Sequence, residues 1–303
     1  MLALVAPGQG AQTPGMLAPW IEEPAAKLLV QQWSHEIGLD LVRLGTTADA
    51  EEIKDTANAQ PLIVAAGLLG ARALNKGNNF AFVAGHSVGE ITAAAVAKVI
   101  SEFDAMRFVN DRANAMAKAA SLEKTGMSAV LGGERDEVLD AIMKLGLVAA
   151  NDNGAGQIVA AGLISELSLF ADNPPAGARI RPLAVAGAFH TRYMQSAQEV
   201  LAKSAATISP SDPTGSIISN RDGFAVVDGE EVIERIISQV ASPVRWDLCM
   251  KSLQELGVTG VIELAPAGTL VGLLKRAAPE IESFAFKSPA DLAAANEFAE
   301  KHK

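Results

Sequence analysis

The segment Gly85-His86-Ser87-Val88-Gly89 has the G-x-S-x-G pattern of a nucleophile elbow. In such an elbow a serine sits on a sharp strand-to-helix turn, the flanking glycines prevent clashes, and Oγ projects from a strained backbone. Ser87 would also stand at a helix N-terminus, whose dipole and free N–H groups favour developing negative charge. Small Gly/Ser turns are common, so the pentapeptide alone is moderately specific. The apolar run 80–84 before it and the Ala-rich stretch 90–100 after it supply the strand–turn–helix context that points to nucleophilic catalysis on an acyl group.

A serine nucleophile needs a base, and the chain has four histidines. His35 lies in an early charged helix, His302 in the tail, and His86 is tied to the elbow, with its ring expected to point away from Oγ. His190 remains, in Val185-Ala186-Gly187-Ala188-Phe189-His190-Thr191. Its other reading is a histidine satisfied by backbone hydrogen bonds. The group that orients the base stays open, because a second-nitrogen acceptor can be a carboxylate or a backbone carbonyl. Asp222 and Asp247 are the acidic candidates.

Arg112 shares a helical face with Ala105, Phe108, Val109 and Met116, so its guanidinium turns toward the interior. There it needs an anionic partner, and its fork matches a carboxylate. The partner is either a protein Asp or Glu, in a buried ion pair, or a carboxylate on the substrate.

These residues need elements to hold them. A first strand over 2–6 runs into Pro7-Gly8-Gln9-Gly10, a turn whose backbone N–H groups can approach a ligand closely. Helical periodicity is expected over 25–37 and from Gln60 to Asn75, a strand over 80–84 and a helix over 90–100. Ser101 reads as the N-cap of a helix ending near Ala120. Between about 122 and 187 the pattern becomes strand, helix, strand, strand, helix, strand: 128–131, 134–145, 147–150, 157–161, 165–171 and 178–183. That order is the ferredoxin-like arrangement. Strands at 217–219 and 261–264, with helices near 231–240 and 246–256, resume the larger unit, and 291–303 reads as a polar helix or frayed end. The expected fold is therefore α/β: a large α/β domain over 1–121 and 188–303, and a small inserted ferredoxin-like (βαββαβ) domain over 122–187.

Length and composition agree with such a core, at 303 residues with 49% hydrophobic and 20% charged. Apolar runs are broken too early to cross the roughly 20 helical residues of a hydrocarbon core, so no membrane span is expected. The N-terminus lacks a basic leader, and the single cysteine excludes an internal disulfide or thiolate metal cluster; both suit a cytoplasmic location. Cys249 shares a face with Trp246, Met250 and Leu253 and reads as core packing. The net charge of −10 argues against nucleic acid or an anionic membrane as partner. Anionic partners would need a local patch, for which Arg192, Arg221, Arg235, Lys275 and Arg276 are candidates.

With Pro7-Gly8-Gln9-Gly10, Gly85-His86-Ser87-Val88-Gly89-Glu90, Asp111-Arg112 and Ala188-Phe189-His190 in this order, the chain resembles the malonyl-CoA:acyl-carrier-protein transacylases over nearly its whole length. Gln60-Pro61 and Ser242-Pro243-Val244-Arg245-Trp246 add to the likeness. The resemblance implies a hydrolase-like α/β domain with a parallel-sheet core that carries the ferredoxin-like insertion, a malonyl-Ser87 intermediate, His190 as base, Arg112 as carboxylate clamp, and the backbone N–H groups of Gln9 and Val88 as oxyanion hole. It implies that a backbone carbonyl in the segment of Val244 and Arg245, assigned to Arg245, orients the histidine. Gln60 would line the acyl pocket, and Phe189 would leave no room for an α-methyl group. Malonyl-CoA would be the donor and the pantetheine-type arm of an acyl carrier protein the acceptor, with no tightly bound cofactor and no metal.

Ala265-Pro266-Ala267 departs from a Gly-Pro-Gly common in that family, which leaves the shape of the loop open. The stretch 13–20 with Leu44-Gly45-Thr46 is more similar to the transacylase subunit of bacterial malonate decarboxylase, which would add that complex's other subunits as partners. Two rivals remain: a serine thioesterase or hydrolase using the same dyad with water, and a non-catalytic thioester-binding or scaffolding subunit. Arg112 opposes the first, and the pairing of a serine with a histidine the second.

Overall fold

The computed structural model describes residues 1–74 and 80–303. Its strands are β1 (Leu2–Ala6), β2 (Phe82–Gly85), β3 (Thr125–Gly132), β4 (Val148–Asp152), β5 (Gln157–Leu163), β6 (Ala178–Pro182), β7 (Ser216–Ile218), β8 (Ala225–Val226), β9 (Val244–Arg245), β10 (Gly260–Glu263) and β11 (Glu282–Ala285). The helices are α1 (Pro24–Ile37), α2 (Leu41–Thr46), α3 (Thr56–Leu74), α4 (Gly89–Val96), α5 (Glu102–Ala120), α6 (Arg135–Lys144), α7 (Ile164–Asp172), α8 (Gln195–Ala205), α9 (Gly229–Gln239), α10 (Trp246–Glu255), α11 (Thr269–Ala277) and α12 (Leu292–Lys301). No helix among the described residues is long and apolar enough to cross a membrane.

The larger sheet has the order β11-β10-β1-β2-β7-β8. Its first five strands run parallel, and β8 pairs antiparallel with β7 at the edge. Every residue of β1 is buried, as a central strand covered by helices on both faces must be. The smaller sheet has the order β6-β3-β5-β4-β9, antiparallel except for the β4–β9 pair. Residues 122–187 contribute its first four strands with α6 and α7 between them, and β9 arrives from much later in the chain.

Register decides where the chemistry sits. Ala6 lies beside Gly85, so the loop after β1 and the turn after β2 leave the sheet together, and the His86 N–H donates to the Ala6 carbonyl at 2.9 Å. Helix α5 starts where expected, with Ser101 Oγ accepting from the Asp104 N–H, and buries Ala105, Phe108, Val109, Arg112 and Met116.

Several boundaries move. Helix α3 begins at Thr56 and carries Pro61 inside; its expected end at Asn75 lies outside the described residues. Helix α4 stops at Val96, and Lys98 already has φ 67°. Helices α2, α8 and α11 and strands β8, β9 and β11 have no counterpart in the periodicity reading, and the tail resolves into α12.

Candidate active site

The elbow has no room for side chains at its glycines. A Cβ on Gly85 would lie 2.0 Å from the Gly89 carbonyl carbon, and one on Gly89 would lie 2.3 Å from the Ala6 oxygen. That crowding forces the sharp turn at Ser87, whose φ of 53° is strained for a non-glycine residue. Asn220, just beyond β7, braces the turn: its Oδ1 accepts from the Ser87 N–H at 2.8 Å and its Nδ2 donates to the Gly85 carbonyl at 2.7 Å.

His190 meets the nucleophile across the fold, with Nε2 2.8 Å from Ser87 Oγ. It too holds a positive φ, 61°, and is 4% exposed. Its Nδ1 lies 2.9 Å from the Gln239 backbone oxygen, and since a carbonyl can only accept, Nδ1 carries the proton and Nε2 is free to take one from the serine. Burial, and then the Arg112 charge, pull its pKa down to about 3, against the Gln239 hydrogen bond, so the imidazole is neutral at physiological pH.

The orienting carbonyl therefore belongs to Gln239, and the expectation of Arg245 is corrected. Arg245 sits on β9, which pairs with β4 of the smaller sheet, and its N–H donates to the Asn220 carbonyl at 2.8 Å, while the oxygen at His190 Nδ1 is that of Gln239. Asp222 is taken by Arg235 at 2.7 Å, and neither acid is a hydrogen-bond partner of His190.

Arg112 is 1% exposed and reaches the same point. Its Nη1 donates to Gln60 Oε1 at 2.7 Å, and its Nη2 to Gln239 Oε1 at 2.9 Å and to Ser87 Oγ at 3.2 Å, while Nε has no partner. Among the described residues no carboxylate touches the guanidinium. The nearest anionic influence is Glu90, which opposes the burial that lowers the Arg112 pKa to about 10. Arg112 therefore stays charged, with three of its five N–H donors on neutral acceptors and the serine oxygen.

A cavity of about 260 Å³ opens beside the dyad, lined among others by Gln9, Gln60, Ser87, Met116, Phe189 and His190. Arg112 lies just behind that wall. Gln60 links the two, donating to Gln9 Oε1 at 3.4 Å while accepting from Arg112. The backbone N–H groups of Gln9 and Val88 have no protein acceptor among the described residues, and Val88 opens α4, so both remain available to an oxyanion. His86 also lines the cavity but bonds Asn153 Oδ1 through Nε2 at 2.9 Å and packs edge-on to Trp246.

Sequence reasoning passed over Gln239, Asn220 and Glu90. The available signal for Gln239 was a polar amide on the buried face of the strongly amphipathic α9, in line with Val232 and Ile236. For Glu90 it was an acid in a helix with every position buried. Cys249 packs in the core as expected, and burial pushes its thiol up. Among the basic candidates, Arg221 and Arg235 are paired with acids, Arg192 lies over the Tyr193 ring, and Lys275 and Arg276 stand in the last turn of α11, whose Thr269, Leu270 and Leu273 line the cavity. The loop at 265–267 is anchored by Glu263, whose carboxylate accepts from the N–H groups of Gly268, Leu270 and Val271.

Comparison with known proteins gives a consistent result. Residues 3–293 match the family model described as acyl transferase domain. The malonyl CoA-acyl carrier protein transacylase of Mycobacterium tuberculosis (strain ATCC 25618 / H37Rv) is 52% identical over 296 residues, covering 96% of this chain and 98% of that protein. The crystal structure of MCAT from Mycobacterium tuberculosis superposes with a TM-score of 0.94 at 51% identity, covering 98% of this chain and 99% of the other. A malonyl-transacylase solved in complex with its type II PKS acyl-carrier protein superposes with a TM-score of 0.92 at 30% identity, covering 98% and 99%.

Proposed function

From the premise that this chain belongs to the acyl transferase family, we propose that it moves a malonyl group from malonyl-CoA to the pantetheine-type thiol of an acyl carrier protein through a malonyl-Ser87 intermediate. One observation carries the reading: Ser87 Oγ lies 2.8 Å from the free nitrogen of a neutral histidine and 3.2 Å from a buried guanidinium.

His190 Nε2 takes the Ser87 proton as Oγ attacks the thioester carbonyl. The Gln9 and Val88 N–H groups receive the oxyanion. As the tetrahedral intermediate collapses, the C–S bond breaks and the CoA sulfur leaves with the proton held by His190. The carrier thiol then returns a proton to His190 and attacks the acyl-serine, and Ser87 regains its proton as it departs. Arg112 binds the distal malonyl carboxylate, and Phe189, 5% exposed on the cavity wall, limits bulk at the α-carbon. A hydrolase would use the same dyad with water; a guanidinium held against the nucleophile and the names of the relatives oppose it.

We infer a hydrolase-like α/β domain over 1–121 and 188–303 with a ferredoxin-like insertion over 122–187. The order β6-β3-β5-β4, with α6 and α7 as crossovers, supports the insertion. The relatives' names support an acyl carrier protein as acceptor and give none to a malonate decarboxylase context. The two segments that suggested that context pack on each other, with the Leu17 N–H donating to the Gly45 carbonyl at 2.9 Å. A cytoplasmic location accords with the lone buried thiol.

The test is covalent. Mixed with malonyl-CoA, the protein should show a malonyl adduct by intact-mass spectrometry. No adduct, or one that persists in Ser87→Ala, removes the reading.

A further inference from the structure

Gln239 holds the base with its backbone and Arg112 with its side chain, yet an amide can face either way. Arg112 on one side, and Glu90 with the Ser87 carbonyl and Asn220 Oδ1 on the other, decide its direction. Arg112 can only donate, so Oε1 must face it, and the buried Glu90 carboxylate accepts from Nε2. Glu90 is itself held from the other side, its Oε1 accepting from the Asn220 N–H at 2.7 Å, and the Asn220 side chain braces the Ser87 turn. The Gln239 Nε2 also reaches the Ser87 carbonyl at 3.2 Å.

We propose that Glu90 is a positioning residue for substrate selection: its carboxylate fixes the orientation of the Gln239 amide, and through it the placement of Arg112 behind Ser87. This rests on the malonyl-transfer reading. Glu90 itself is 3% exposed and never touches the cavity. Burial pushes its carboxyl up to about 7, against the Asn220 N–H, the Gln239 amide and the Arg112 and Arg235 charges, so its ionised form depends on those four partners.

The donor count makes Glu90→Gln informative. The Asn220 N–H requires an oxygen on the new amide, which leaves its NH2 facing the Gln239 NH2. If Gln239 turns over to relieve that, its NH2 faces Arg112 instead. Either way two donors oppose each other in a dry site, at the amide or at the guanidinium. The His190 contact uses the Gln239 backbone and is not reoriented.

The experiment measures kcat/KM for malonyl-CoA and acetyl-CoA on one preparation of each variant, so that the folded fraction cancels from the ratio. Glu90→Gln should lower the malonyl-to-acetyl ratio by about 10-fold, the scale of one opposed buried donor pair. Gln239→Met, which removes the amide that Glu90 orients, should lower it similarly, and adding Glu90→Gln to it should lower it no further. If Glu90→Gln does not fold, Glu90→Asp, which draws the carboxylate back from the Gln239 amide, carries the test with the same expected fall in the ratio. An unchanged ratio in any folded variant, or additive losses in the double variant, overturns the role of Glu90. A wild type with no preference for malonyl overturns the transfer reading instead.

Discussion

Removing the guanidinium is the sharpest perturbation the site allows. Arg112 is 1% exposed, and burial lowers its pKa only to about 10, so it meets substrate as a cation. Charge-assisted hydrogen bonds in such a setting are worth about 1.5–3 kcal/mol, and about 1.4 kcal/mol is a tenfold change. Arg112→Ala should therefore cut malonyl transfer by about 10- to 200-fold relative to acetyl transfer, which has no carboxylate to lose. The same change strands Gln60 Oε1 and Gln239 Oε1, now held at 2.7 and 2.9 Å, and each stranded acceptor costs about 1–3 kcal/mol of stability. A lower melting temperature is therefore expected as well, which is why the readout must be the ratio of kcat/KM for the two donors on one preparation. Arg112→Lys should recover part of the ratio, because it restores charge without the fork. If both donors lose activity in proportion, Arg112 is only a structural partner of Gln60 and Gln239, and the carboxylate-clamp reasoning is refuted.

His190→Ala should slow Ser87 acylation in stopped flow by about 10²–10⁴-fold, the usual worth of a general base; near-wild-type rates would mean another group takes the proton. Because the folded-state pKa of His190 is lowered to about 3, the base stays neutral down to that region, and modification of Ser87 by a fluorophosphonate should vary little between pH 8 and 5. An inflection near 6.5 would contradict the buried geometry. The same shift means that the unfolded chain binds the extra proton between about pH 3 and 6.5, so this group's contribution lowers stability as pH falls through that window. Reversing charge at Lys275 and Arg276, in the last turn of α11, should weaken transfer to an acidic carrier while leaving acylation by malonyl-CoA nearly unchanged; equal effects on both half-reactions would place the carrier elsewhere.

Much of the chemistry is a local property of the chain. The elbow follows from an apolar strand, two glycines that admit no Cβ, and an Ala-rich helix, all within a dozen or so residues of Ser87. The inward aim of Arg112 follows from helical periodicity alone, and His190 from the shortage of other histidines. The tertiary structure decided what short-range pattern does not encode. Which carbonyl orients His190 depends on how the end of α9 meets the loop before α8, and packing placed Gln239 there while β9 carried Arg245 to the smaller sheet. The Glu90, Asn220 and Gln239 network joins residues separated by more than a hundred positions, except for the Asn220–Gln239 contact. The short strands β8 and β9 exist only because longer neighbours supply their hydrogen bonds. Periodicity and turn chemistry specify elements, whereas the partner of a buried polar group is set by the whole packing arrangement, which leaves few donors or acceptors stranded.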